Sequence, residues 1–182
     1  MGTNGSTMLQ PLRQGLPPLD PAAVSSAASC ALPPRYEAVR EARRFTRTTL
    51  DQWELGDRFD DICLVVSELV TNALRHGLPP AQRPADESPR TACHTLAPAA
   101  LPHDTGPHVR LHLLRWTGRL VCAVRDPSGE SPVARETEDF SAESGRGLFL
   151  VDSFSDSWGW HPMAGALHGK VVWALFRLRP AD

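Results

Sequence analysis

The apolar positions in the first half of the chain follow the spacing of two helices. Over 35–50, Ala38, Ala42, Phe45 and Thr49 fall on one face, which predicts an amphipathic helix. The opposite face carries four arginines, Arg40, Arg43, Arg44 and Arg47. That face is interpreted either as a solvated surface or as a surface for a partner protein.

A second helix is predicted over 59–76, where the apolar stripe is most regular. Asp57 is placed to act as its N-cap, with Asp60 three residues further on. Gly77, followed by two prolines, is a stop signal. The stripe that this helix is expected to bury consists of Ile62, Val66, Leu69 and Ala73.

The second half of the chain has the pattern of strands around one short helix. A turn at Thr117-Gly118 joins the first two strands. Helices that come first, with a sheet afterwards, favour an α+β fold. We expect a two-layer α/β sandwich with helices packed on one face of a mixed, mainly antiparallel sheet. The predicted strands span 109–115, 120–125, 156–161 and 170–178, and the short helix lies near 148–151.

Three segments lack such a pattern. Residues 1–33 are rich in Pro, Gly, Ser and Ala and are predicted to be a disordered tail, in which the part around Leu32 can form a short strand. One domain is then expected over 34–180. Within it, 78–107 holds seven prolines and is predicted to be a long loop insertion, and 130–144 is polar and acidic.

Composition excludes several classes of function. Hydrophobic residues make up 41% of the chain, enough for a core, and the net charge of −2 gives no basic field for nucleic acid. No apolar stretch approaches the roughly 20 residues of a membrane span, and no signal peptide is recognisable. A cytoplasmic protein is expected. Lys170 is the only lysine, and we attribute this bias towards arginine to codon usage.

Glu68 and Asn72 form the first candidate site. They stand four residues apart on the second predicted helix and so point from the same side. Carboxylate and amide oxygens are the hard ligands that suit Mg²⁺, which usually completes its shell with phosphate and water. The alternative interpretation is an ordinary polar helix face.

Asp126 forms the second candidate site, because it ends a hydrophobic strand and begins a turn. A buried carboxylate at this place can accept a hydrogen bond from an exocyclic amine. The alternative is an aspartate that only starts an Asx-type turn. The third candidate is Gly145-Arg146-Gly147-Leu148, where glycines at a helix start let backbone N–H groups approach an anion. Its alternative is a flexible turn.

These three motifs, in this order, resemble the N, G1 and G2 boxes of the GHKL ATPase superfamily. In particular they resemble the small anti-sigma-factor serine/threonine kinases of the sporulation and stress-response type. Segment 66–77 is similar to the N box of those kinases and 145–151 to their G2 box. Segments 158–159 and 169–173 are similar to their last strands. The likeness covers about residues 32–178.

The resemblance implies the Bergerat fold, with ATP and Mg²⁺ between helices and sheet. It implies that Asn72 coordinates the Mg²⁺ that bridges the phosphates and that Glu68 orients or deprotonates the attacking hydroxyl. Asp126 would recognise the adenine amine, with Ser128 and Gly129 in the same turn. The resemblance further implies that the phosphates are enclosed under a lid, 130–144, by Gly145, Arg146, Gly147 and Leu148, with Arg75 and His76 nearby.

The adenine turn departs from the family pattern. The usual box reads Asp-x-Gly-x-Gly, whereas here Ser128 and Glu130 occupy the glycine positions and Gly129 lies between them. The bulk of these side chains predicts weaker adenine binding or a reshaped pocket.

By resemblance, the chain is expected to be a kinase that phosphorylates an anti-anti-sigma (STAS-type) antagonist protein and sequesters a sigma factor. A homodimer is compatible with the family. The main alternative is a non-catalytic module that binds a partner and has a degenerate or ATP-only pocket. The catalytic half of a histidine kinase is disfavoured, because the residues before the domain do not supply a phosphoacceptor hairpin. A zinc site is a further alternative, although its candidate ligands are irregularly spaced: Cys93, His94, His103, His108 and His112.

Overall fold

The computed structural model describes residues 23–80, 109–132, 146–163 and 168–178. These ranges contain five strands and three α-helices. The strands are β1 (Ser26–Leu32), β2 (Val109–Trp116), β3 (Arg119–Asp126), β4 (Ser157–Pro162) and β5 (Lys170–Arg177). The helices are α1 (Glu37–Gln52), α2 (Phe59–Asn72) and α3 (Arg146–Phe154).

The five strands form one sheet in the order β1-β2-β3-β5-β4, and every neighbouring pair is antiparallel. The mainly antiparallel sheet that we expected is confirmed, and the described strands include no parallel pair. The two-residue turn after β2 folds β3 straight back beside it, which is the connection that antiparallel strands allow.

The helices pack on one face of the sheet, as the apolar stripe predicts. Each member of that stripe, Ile62, Val66, Leu69 and Ala73, is buried. They share one core with alternate residues of β3, which are Leu120, Cys122 and Val124. The residues between them, Val121 and Ala123, belong to a smaller cluster on the other face. Residues on both faces of the central strand β3 are thus buried. The helices lie on one face of the sheet, which confirms the predicted two-layer sandwich.

Two local predictions near the helices need correction. Asp57 does not cap α2, because it lies in a short 3₁₀ turn, Gly56–Arg58, that leads directly into the helix. Arg58 occupies the N-cap position, and its side chain makes no capping hydrogen bond. The α-helical hydrogen bonding of α2 also ends at Asn72, where a π-helical turn over Ala73–Gly77 takes over.

The start of the sheet also differs from the predicted domain boundary at residue 34. The short strand that we expected around Leu32 is present as β1, which pairs along its length with β2 as an edge strand, so the tail prediction is wrong for Ser26–Leu32. Its small residues alternate between exposed and half-buried positions, so the hydrophobic signal in the sequence is weak. Residues 1–22, most of the 78–107 loop and most of the predicted lid lie outside the described residues. Within the described ranges, no helix has the length and hydropathy needed to span a bilayer.

Candidate functional site

Glu68 and Asn72 converge on the first turn of α3. A Cβ atom built on Gly147 would lie 2.8 Å from Oε2 of Glu68, 3.2 Å from Nδ2 of Asn72 and 3.3 Å from its Oδ1. Real Cβ atoms do not tolerate the first of these distances without a shift of the neighbour. Glycine at this position therefore lets the backbone of α3 reach both side chains, and the first and third motifs of the sequence meet in space.

The environment of Glu68 favours a proton acceptor. Glu68 and Asn72 are both half-buried. Burial raises the pKa of Glu68 above its ordinary value, and the positive charge of Arg75 partly opposes this. A carboxylate with a raised pKa holds a proton more strongly than an exposed glutamate does.

The π-helical turn at the end of α2 carries the chain from Asn72 to the second motif. A Cβ on Gly77 would lie 2.5 Å from Cγ of Asp126 and 2.8 Å from its Oδ1. No side chain fits there, so Gly77 is the residue that lets the end of the helix close over this carboxylate. The sequence predicted Gly77 as a stop signal, within a segment similar to the N box, and the helix does end there.

Asp126 is almost completely enclosed, with 2% of its surface exposed. Its Oδ1 accepts a hydrogen bond from Lys170 Nζ at 2.9 Å and another from the Ser128 backbone N–H, also at 2.9 Å. The second bond has the form of an Asx turn, as the alternative interpretation of Asp126 predicts. Burial raises the pKa of Asp126, whereas the charge of Lys170 and both hydrogen bonds lower it.

The unusual residues of the adenine turn do not fill the site. Ser128 is half-buried, and its Oγ accepts a hydrogen bond from the Glu130 N–H at 3.2 Å. Glu130 itself is exposed, so the bulk that we expected at this position points to solvent. A Cβ on Gly129 would meet no atom within 4 Å, which means that no close contact requires glycine there. The residue that changes the surroundings of Asp126 is Lys170.

The remaining predicted residues are placed unevenly. Leu148 is buried within α3. Arg75 and His76 are exposed on the π-helical turn. Arg146 begins α3, and Gly145 lies outside the described residues together with lid residues 133–144. Of the proposed zinc ligands only His112 is described, and the described part of the chain contains no cluster of three metal-binding side chains.

This arrangement fits a metal-bound nucleotide. The backbone of the first turn of α3 lies against the side chains of Glu68 and Asn72, and the N-terminal turn of a helix favours anions such as phosphate. A single amide or carboxylate ligand is enough for Mg²⁺, which takes most of its other ligands from phosphate and water. Asp126 offers a carboxylate acceptor for a base amine, and it lies against Gly77, five residues after Asn72.

Lys170 is the residue that sequence reasoning missed. Codon usage can explain why lysine is rare in the chain, but it does not explain this position. Lys170 is buried and donates a hydrogen bond to the Asp126 carboxylate. The available signal was that the only lysine of the chain comes directly before an apolar strand, in one of the segments that resemble the family.

The comparison with protein families agrees with the geometry. The family described as histidine kinase-like ATPase domain matches residues 32–175, well over half of the 182-residue chain. The matched range includes all three motifs. It also includes the site residues Glu68, Asn72, Asp126, Gly147 and Lys170. A search of curated proteins finds no match. Membership of this family implies ATP binding, usually with Mg²⁺, and a regulatory role. The chain belongs to the family of histidine kinase-like ATPase domains.

Proposed function

We propose that the protein is an ATP-dependent serine/threonine kinase of the anti-sigma-factor type. It would phosphorylate an anti-anti-sigma (STAS-type) antagonist protein and sequester a sigma factor in the cytoplasm. The observation that carries the proposal is the convergence of Glu68 and Asn72 on Gly147, with Asp126 buried against Gly77 just beyond the C-terminal end of the same helix.

Each residue has a defined task in the proposed reaction. Asp126 accepts a hydrogen bond from the adenine amine, and the backbone around Gly147 receives the phosphates. Asn72 holds Mg²⁺, which supplies neutralisation of phosphate charge when it is bound. Glu68 accepts the proton of the serine hydroxyl as the serine oxygen bonds to the γ-phosphorus. The bond between that phosphorus and the β–γ bridging oxygen breaks, and ADP leaves.

The arginine face of α1 supports a role in partner binding. Arg40, Arg43 and Arg44 are exposed on the side of α1 that faces away from the core. An exposed cluster of guanidinium groups suits an acidic surface of a protein partner. Phosphorylation of the antagonist would add negative charge to it and prevent it from displacing the sigma factor.

Transfer of labelled phosphate tests the proposal. The protein is incubated with γ-labelled ATP, Mg²⁺ and a STAS-type antagonist, beside an antagonist whose acceptor serine is replaced by alanine. We expect label on the first antagonist alone, and we expect Glu68→Gln to lower the rate by roughly 100-fold or more because the general base is lost. Label transfer that is unchanged in Glu68→Gln contradicts the assigned mechanism, and no transfer to any antagonist contradicts the kinase function.

A second function is favoured by the contact between Lys170 and Asp126. A carboxylate that already bonds a lysine ammonium differs from a free adenine acceptor. A protein that sequesters its partner and binds ATP without transfer would agree with that contact. In the same assay it would bind the partner and ATP but leave the antagonist unlabelled.

A further inference from the structure

The Asp126–Lys170 pair is buried at one end of the sheet. Asp126 is the last residue of β3 and Lys170 is the first of β5, and the two are directly opposite each other in the register of these strands. Lys170 is 5% exposed. A lysine ammonium is strongly hydrated, so a site that removes it from water needs compensating contacts.

Both side chains face the helical layer, where the nucleotide site lies. Val124 and Val172 are two residues from Asp126 and Lys170 on their respective strands, and both belong to the core shared with the helices. Because side chains alternate along a strand, Asp126 and Lys170 point to that same side. The close approach of Gly77 to Asp126 confirms the direction of the carboxylate.

The hydrogen bonds of the pair leave a particular set of groups for a ligand. Lys170 Nζ donates to Asp126 Oδ1 at 2.9 Å and, at the long limit of 3.5 Å, to the Ser128 carbonyl oxygen. The Ser128 N–H donates to the same Oδ1. An ammonium has three N–H donors and a carboxylate has a second oxygen. Among the described residues, the pair therefore keeps one acceptor, Oδ2 of Asp126, and one donor, the third N–H of Lys170, for a ligand.

We propose that Lys170 is a base-reading residue, whose ammonium donates a hydrogen bond to the ring nitrogen N1 of adenine while Asp126 accepts from the adjoining exocyclic amine. This proposal rests on the proposed binding of ATP. The edge of adenine carries a donor and an acceptor on neighbouring atoms, and the pair offers their complement. The Lys170 ammonium thus contributes to the recognition of adenine, which an ion pair with a purely structural role would not do.

Binding of two nucleotides tests the proposal. The first is ATP with Mg²⁺, and the second is 1-deaza-ATP, which keeps the exocyclic amine but has a C–H group in place of N1. We expect the wild-type protein to bind ATP roughly 10- to 100-fold more tightly, as for the loss of one hydrogen bond to a charged group. In Lys170→Met, which keeps an unbranched side chain without the charge, we expect this preference to disappear.

The wild-type protein also allows a measurement that needs no variant. Because Lys170 is the only lysine, labelling with [ζ-¹⁵N]lysine gives one ammonium resonance. We expect ATP to shift this resonance and 1-deaza-ATP to shift it by a clearly smaller amount. Equal shifts with the two nucleotides would overturn the proposal even if Lys170→Met does not fold.

The possible outcomes separate the two proposals. If the wild-type protein binds both nucleotides equally, base reading by Lys170 is wrong while ATP binding stands. If Lys170→Met keeps the wild-type preference, or binds ATP more tightly because the lysine had blocked the carboxylate, base reading is also wrong. If the wild-type protein binds neither nucleotide, the proposed function itself fails.

Discussion

At the scale of single residues, two glycines decide how closely the parts of the site approach one another. The missing side chain of Gly147 lets Glu68 and Asn72 lie close to the backbone of α3, and that of Gly77 does the same for Asp126 at the end of the π-helical turn. Gly129, which the family pattern placed among the nucleotide contacts, has open space where a Cβ would stand. Glycines in the same sequence motifs therefore differ in what they do, and this difference gives matched pairs of variants.

Gly147→Ala tests the contact between the first turn of α3 and the side chains of Glu68 and Asn72 on α2. The added methyl group would displace the Glu68 carboxylate and narrow the space for phosphate. We expect the affinity for ATP with Mg²⁺ to fall by roughly 10-fold or more, in line with the loss of one or two hydrogen bonds to the phosphates. Isothermal titration calorimetry measures it. Gly129→Ala is the control, and an equal effect of both variants would contradict the assignment.

Gly77→Ala tests the closure of the helix end over Asp126. A methyl group 2.5 Å from the carboxylate carbon forces the two apart. Overpacking of this kind costs about 1–3 kcal/mol, more than the helix propensity of alanine returns. Urea denaturation of Gly77→Ala should show that loss of unfolding free energy. If the variant is as stable as the wild-type protein, the close approach does not exist in solution.

Glu68→Gln tests whether the ionised Glu68 carboxylate lowers the stability of the fold at neutral pH. The raised pKa of Glu68 means that the folded protein binds its proton more strongly than the unfolded chain does. Stability contributed by the protonated form is present below the ordinary carboxyl pKa and is lost as pH rises through the raised value. Glutamine does not ionise, so the variant should be more stable than the wild-type protein at about pH 7 and similar at about pH 4.

Thermal unfolding at the two pH values measures this difference. Glu130→Gln, at an exposed position, is the control and should leave the melting temperature unchanged at both. A Glu68→Gln protein that is less stable at neutral pH would show that the carboxylate stabilises the fold instead of serving the site.

At the scale of elements, the sequence predicted what depends on repeated apolar spacing. The stripe of α2, the β2–β3 hairpin and the last two strands all follow from it. The missed features depend on backbone geometry that side-chain spacing does not encode. The 3₁₀ turn before α2 and the π-helical turn after it are of this kind, whereas the edge strand β1 extends further than the short strand expected around Leu32 because its hydrophobic signal is weak. The change to π-helical geometry matters for the site, because it sets where Gly77 meets Asp126.

The packing of α1 on α2 has one polar contact that can be tested. The guanidinium carbon of Arg47 lies 3.8 Å from the ring centre of Phe59, so this arginine stacks on the start of α2. Arg47→Ala should lower the unfolding free energy by about 0.5–1 kcal/mol, the usual range for an exposed cation–π contact. Arg43→Ala, on the same exposed face, is the control and should change stability less. Equal losses in the two variants would show that the contact contributes nothing.

At the scale of the whole molecule, the site joins segments that are far apart in sequence. The C-terminal part of α2 carries Glu68 and Asn72, and the π-helical turn that follows it closes over Asp126, while α3 and β5 come from the last third of the chain. The order of the three motifs predicted their meeting place, because the fold that they imply was correct. The pairing of Lys170 with Asp126 was not predictable from spacing, since it depends on the register between β3 and β5.

The most direct test of this account is ATP binding with and without Mg²⁺, measured by calorimetry for the wild-type protein and Asn72→Ala. The account predicts that Mg²⁺ strengthens ATP binding to the wild-type protein and that Asn72→Ala loses this gain while keeping the weaker binding seen without metal. If Mg²⁺ has no effect on the wild-type protein, or the same effect on Asn72→Ala, the amide of α2 does not hold a nucleotide-bound metal.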